Sequence, residues 1–244
     1  MIRLGTRTNG KLKRRSIPVL DDSYFKAEWM ESGTDALLSP TVALIEQPPN
    51  SVLVPHFHRQ NQFQLFVDGS GSIGPRELSP LTIHYAGAYT GYGPVIAGPE
   101  GIKYFTMRSV CETGLVPISD AREKMLRGPK RHAQCGPIDI SSEAVLLALT
   151  DVQTEALIPL ADDGLGAEVI HLPGALKLLP QRLAASAGFF LVVLAGTLIY
   201  ADAQLGAFEN VFVSADEILP VFAAGKGGLQ VLVLHLPRKE SVYP

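Results

Sequence analysis

Two histidines stand one residue apart in VPHFHRQNQFQLFVDGSGSIG, where His56 and His58 open a strand-like run. On a strand, residues i and i+2 face the same side, so both imidazoles are predicted to point into one interior. Two converging imidazoles begin a site for Zn, Fe, Ni, Cu or Mn, and the usual completion is a carboxylate. The residues placed to complete it here are Gln62 and, on the same face, Gln64. An amide offers only a neutral carbonyl oxygen, so a site closed by Gln62 keeps the metal's full charge and binds it less tightly. Further along, LTIHYAGAYTGYGPV holds His84, Tyr85, Tyr89 and Tyr92. Strand parity is not fixed there, and a single histidine in such a strand is more often an ordinary interior residue than a ligand. Gln64, His84, Tyr89 and Tyr92 are read as lining a small-molecule pocket, with or without a metal.

The elements that must position these residues are strands. Apolar residues make up 46% of the 244 residues and charged ones 18%, which describes a globular chain. TVALIEQ, FQLFVDG, LTIHYAG, IKYFTMRSV, AVLLALT, AEVIHL, FFLVVLAGTLIYA, NVFVSAD and LQVLVLHL all read as strands, punctuated by 23 Gly and 18 Pro. One helix stands out, SDAREKMLRG, with Asp120 and Glu123 spaced as a capping box and Gly128 as its stop. Many short strands between turn signals predict an all-β sandwich or barrel.

A repeat divides the chain. The same offset of 127 separates Gly69 in FVDG from Gly196 in VLAG, and Gly101 in PEGIKYF from Gly228 in KGGLQVL. Two β units are therefore expected, with residues 111–142 as their connection.

The bulk numbers exclude several classes. A net charge of −3 argues against nucleic acid as the partner. The basic stretch from Arg3 to Arg15 reads as a solvated tail. Two cysteines, Cys111 and Cys135, are too few for a disulfide framework, and Met1 to Val19 has no apolar stretch of the signal-peptide kind. The apolar run from Phe189 to Tyr200 is shorter than the roughly 20 residues of a membrane helix. A cytoplasmic protein with reduced thiols and no membrane partner is expected. Nothing matches a phosphate loop, a Ser/His/Asp set or a DNA-binding helix.

The stretch around His56 resembles the first motif of the cupin family of small jelly-roll barrels, in which H-x-H is followed by Glu and then by Gly. His56 and His58 match the histidines and Gly69 the glycine, whereas Gln62 stands for Glu and Asn50 for the leading Gly. The second motif, P-x-G followed by His, is matched by Pro99 and Gly101, with Tyr104 at the histidine position. The resemblance implies two cupin-type double-stranded β-helix barrels, a bicupin: residues 1–110 with the H-x-H site, the linker 111–142 with its short helix, and residues 143–244 as a degenerate barrel. It further implies a divalent metal (Fe, Zn, Mn or Ni) on His56, His58 and Gln62, and dioxygenase-, decarboxylase-, isomerase- or lyase-type chemistry on a small organic molecule. Gln62 and Tyr104 would be the catalytic residues, Tyr104 as acid, hydrogen-bond donor or further ligand. The alternative is a barrel that has lost its metal and binds a small molecule without catalysis. At the offset of 127 the site residues become Leu183, Ala185, Phe189 and Val231, all apolar, so no metal is expected in the second half. His171 and His235 read as structural, His132 as exposed, and a homodimer is expected.

Overall fold

A computed structural model describes residues 1–20, 22–30, 39–112, 114–181 and 183–244, without the side chains of residues 120–122. Along the chain come β1 (Ile2–Gly5), α1 (Arg7–Leu12), β2 (Arg14–Val19), β3 (Asp22–Met30), β4 (Thr41–Gln47), β5 (Val52–Leu53), β6 (His56–Phe57) and β7 (Gln62–Ile73). Then follow β8 (Arg76–Leu78), β9 (Ile83–Ala86), β10 (Val95–Arg108), β11 (Val116–Pro117), α2 (Ile118–Ala121), β12 (His132–Cys135) and α3 (Glu143–Leu147). The remainder is β13 (Gln153–Ile158), β14 (Gly166–Leu172), β15 (Lys177–Leu178), β16 (Ser186–Tyr200), β17 (Ala203–Leu205), β18 (Asn210–Ser214) and β19 (Phe222–Pro237). The fold is all-β with antiparallel pairing, as the alternation of short apolar runs and Gly or Pro breaks predicts.

Two compact units form, and they do not follow the chain linearly. Thr8–Ile138 and Lys239–Pro244 make the unit that carries the H-x-H pair, while Met1–Arg7 and Asp139–Arg238 make the other. The division expected at residues 110 and 142 departs from this at both ends of the chain. The cause is local. In β1 the apolar residues Ile2 and Leu4 pack on the second unit's interior, and the strand pairs with β18 from Ile2↔Val213 to Gly5↔Asn210.

In the site-bearing unit the sheet runs β12-β9-β7-β10-β4-β3-β2, with β5 on β10 and β8 on β7. Ile102 and Tyr104 of β10 meet Phe66 of β7, together with Leu53, Ile73, Leu78 and Val95, in one apolar cluster. By strand parity Thr106 and Arg108 lie on the same face of β10 as Tyr104. The basic N-terminal stretch is not a free tail: it supplies β1, α1 and β2, and β2 closes the sheet edge on β3. The linker is structured too. Its β12 extends the sheet on β9, with His132, exposed as expected, opposite Ala86. The helix expected from Ser119 begins earlier and ends sooner, as α2 followed by a 3₁₀ turn over Arg122–Lys124. Asp120 therefore lies within the helix rather than at its cap.

The second unit is built on the order β1-β18-β16-β19-β14-β13, with β15 on β19 and β17 on β16. Phe189 and Val231 belong to its apolar interior, as the repeat predicts. Leu183 and Ala185 do not: they are half-buried in the turn before β16. The repeat itself is reproduced in detail. Gly69 and Gly196 both hold φ 76°, and a Cβ on either would overlap the carbonyl oxygen of Gly101 or Gly228 respectively. Only glycine fits both the backbone and the space. The registers agree as well, Tyr104↔Phe66 in one unit and Val231↔Val193 in the other.

Candidate functional site

His56 and His58 flank Phe57, and their alternation sets the site. Phe57 is fully buried on the other side, against Tyr89 and Tyr243, while both histidines border a cavity of about 580 Å³ in the site-bearing unit. The backbone of His56 is clamped to that of Tyr92, each N–H donating to the other's carbonyl at 3.0 Å. The His56 ring donates Nδ1–H to the Val54 carbonyl at 2.8 Å, which leaves Nε2 unprotonated. The His58 ring places Nδ1 3.2 Å from the Glu112 carboxylate, and the ring centroids of the two histidines are 5.3 Å apart.

Arg108, from the end of β10, reaches into this group. Its Nη2 donates to Gln62 Oε1 at 2.7 Å and lies 3.4 and 3.5 Å from the two ring nitrogens of His58, against the face of the ring. Gln62 in turn donates from Nε2 to the Tyr92 hydroxyl at 2.5 Å. Glu112 completes the set: its Oε2 is 3.7 Å from Arg108 Nε, and its Oε1 accepts from the Arg59 backbone N–H at 2.6 Å. Arginine, histidine, amide, phenol and carboxylate thus form one connected network, almost wholly buried.

This burial decides the charge states. His56 is pushed down to about 3 by burial, and the nearby charges of His58, Arg108 and His84 add to that, against the Val54 hydrogen bond. His58 is also lowered, by burial and then by Arg108, with Glu112 opposing. Both rings are neutral near pH 7. Burial works to raise the Glu112 carboxyl, but the His58 hydrogen bond, the charge of Arg108 and the Arg59 N–H together hold it below the usual carboxylate range. Burial raises the phenols of Tyr92 and Tyr104, so both stay protonated.

Of the residues expected in the site, His56, His58, Gln64, Tyr92 and Tyr104 border the cavity. Gln62 lies fully buried behind it and acts through Arg108 and Tyr92. His84 is buried at one remove, its Nδ1 2.9 Å from Gln64 Oε1, and burial pushes it down to about 3. Tyr89 is not part of the cavity wall: its ring packs with Phe57 and with Tyr243, 4.7 Å away between centroids. Arg108, Glu112 and the cavity-lining β2 residues Arg15, Ile17 and Val19 were not anticipated. Parity could have found Arg108, because 104, 106 and 108 share a face once Tyr104 is placed inside. Nothing local announces Glu112 or β2.

Two neutral imidazoles, that of His56 with Nε2 unprotonated, are what a metal centre would start from. The rest of the donor set does not fit one. Among the described residues no three His, Cys, Asp or Glu side chains converge as metal ligands. Gln62 is spent on Arg108, Tyr104 is held as a neutral phenol, and a guanidinium occupies the neighbourhood where a cation would bind. The expected His56, His58 and Gln62 ligand set is thus reduced to the two histidines. No helix of the described residues is long and apolar enough to cross a membrane.

No protein-family model matches the sequence, and no curated protein does. Solved structures do. A bacterial pirin from Escherichia coli, in complex with nickel(II), matches with TM-score 0.55 at 13% identity over 97% of this chain and 99% of that one. Oxalate decarboxylase of Bacillus subtilis, described with Mn(II) centres, matches with TM-score 0.52 at 8% identity over 94% of this chain and 77% of that one. The coconut allergen cocosin matches with TM-score 0.56 at 10% identity over 97% of this chain and 85% of that one. At such identities the likeness is one of fold.

Proposed function

The chain has the cupin fold, and we propose that its site-bearing unit binds a small organic molecule in a pocket that works without a resident metal. One observation carries this reading: Arg108 donates to Gln62 Oε1 at 2.7 Å and rests on the ring of His58. A guanidinium does not deprotonate. A divalent cation among His56, His58 and Gln62 would sit beside that fixed charge on neutral ligands alone, with the nearby carboxylate of Glu112 already set against Arg108. The nickel and manganese of the similar structures belong to those proteins. In this pocket Tyr104 is a hydrogen-bond donor, and Gln62 is a positioning residue that holds Arg108 and Tyr92.

A second reading keeps a divalent metal (Fe, Zn, Mn or Ni) on His56 and His58. It is supported by the Nδ1 contacts of both rings to Val54 and Glu112, which fit tautomers with Nε2 free. It requires Arg108 to leave its present place. Elemental analysis of protein purified without chelators or a metal-binding tag separates the two. Far less than stoichiometric metal, with small-molecule binding retained, is the expected result. A stoichiometric metal that is lost in His56→Ala would overturn it.

A further inference from the structure

Three cations border the cavity: Arg15, Lys26 and Arg108. Among the described residues, two carboxylates are seen against them. Glu28 binds Arg15 at 2.8 Å and Lys26 at 3.1 Å, and Glu112 stands 3.7 Å from Arg108 Nε. Arg108 is the buried one of the three, its side chain only 12% exposed. Nη2 is committed to Gln62, Nε has no hydrogen bond, and Nη1 makes none to a described residue. A buried cation with unused donors is costly unless an anion takes them. Much of the remaining wall is apolar, with Ile17, Val19, Ile45, Leu53 and Leu115, beside the polar Gln64 and Thr106. The cavity's 580 Å³ lies within the range of about 300–1,000 Å³ typical of small-ligand sites.

We infer that the cavity takes a small organic monocarboxylate, with its carboxylate on the free donors of Arg108 and its apolar body along Ile17, Val19 and Leu115. This deepens the reading of the cavity as a metal-free pocket and rests on it. Glu112 beside Arg108 selects a monoanion, since it would repel a second negative group. The apolar wall selects an organic anion over an inorganic one, which would leave that wall uncovered.

The test is calorimetric titration of the full-length, chelator-treated protein at constant ionic strength with benzoate, phenylacetate and hexanoate, each against its uncharged amide. At least one acid is expected to bind about tenfold or more tightly than its amide, because a charge-assisted contact is replaced by a neutral one. Arg108→Gln is expected to abolish that preference and Arg108→Lys to keep part of it. The acid–amide comparison on the unaltered protein stands even if a variant fails to fold. Equal binding of acids and amides would overturn the inference and leave the metal-free pocket standing. So would an acid preference that survives Arg108→Gln. Binding that appears only after Zn(II) is added would overturn the metal-free reading itself. No binding of any of the three acids at up to about 10 mM, weaker than a millimolar contact, would overturn the inference.

Discussion

Arg108 Nη2 donates to Gln62 Oε1 at 2.7 Å, so the position that would carry a metal-binding carboxylate carries an amide turned toward a fixed cation. A carboxylate at position 62 would serve either a metal or Arg108, and an amide satisfies the arginine without adding charge.

Gln62→Glu is therefore expected to pair with Arg108 rather than create a metal ligand. Zn(II) affinity, read by competition with a chromophoric chelator, should change by less than about threefold in the single variant. Gln62→Glu with Arg108→Ala should raise it by about tenfold or more, since a charged ligand is added and the competing cation removed. A full gain in the single variant would show that Arg108 does not control the site.

Removing metal is expected to leave stability unchanged. Chelator treatment should shift the melting temperature by less than about 2 °C, because a ligand that binds only the folded chain would otherwise contribute several kcal/mol. A larger fall, reversed by one particular divalent ion, would contradict this.

Arg108→Ala leaves the Glu112 carboxylate buried and short of a countercharge. Urea unfolding at neutral pH should show a loss of about 3–5 kcal/mol, with much of it recovered in Arg108→Ala/Glu112→Gln. The pH dependence follows from the lowered Glu112 carboxyl. A carboxyl depressed on folding contributes stability that is full above the unfolded value of about 4.3 and is lost as pH falls through the folded value. In Arg108→Ala the folded value rises, so the loss should begin at higher pH than in the unaltered protein. Identical acid limbs in the two proteins would mean that Arg108 does not stabilise the charged Glu112.

Tyr243 is expected to matter for the site although it borders no part of the cavity. Its hydroxyl donates to the Pro129 carbonyl at 2.7 Å and accepts from Lys130 Nζ at 2.8 Å, and its ring packs on Tyr89. Tyr89 donates its N–H to the His58 carbonyl at 2.6 Å, and Tyr92 is clamped to His56. Tyr243→Ala should cost about 3 kcal/mol from lost packing and weaken small-molecule binding, whereas Tyr243→Phe should cost about 1 kcal/mol. Unchanged binding in a folded Tyr243→Ala protein would show that Tyr243 does not support the site.

What the sequence made legible was set by period and by glycine. The spacing of His56 and His58 placed both on one face, and Gly69 and Gly196 marked a repeat, each a position where no side chain fits. What it hid were contacts between residues distant along the chain. Glu112 meets His58 across the fold, β1 finds β18, and Tyr243 finds Tyr89, and none of these pairs leaves a local signal. Arg108 is the intermediate case: its parity was readable, but its role depended on Gln62 being an amide.

The interleaving of the chain ends makes the last prediction sharp. Residues 1–138, expressed alone, keep every strand of the site-bearing sheet but remove β18, the partner of β1, and remove Tyr243. Ile2 and Leu4 would then lose the apolar interior they pack on, and β1 would present an unpaired strand edge, which favours association. Phe57, Ala88 and Tyr89 would lose the ring that covers them. The expected outcome is a chain that elutes as aggregates in size-exclusion chromatography and shows no cooperative urea transition. Adding residues 239–244 through a short flexible linker, with residues 1–7 deleted, should restore a cooperative transition, because both defects are then repaired. If residues 1–138 proved monomeric and unfolded cooperatively near the full-length midpoint, the chain ends would not be integral to the two units.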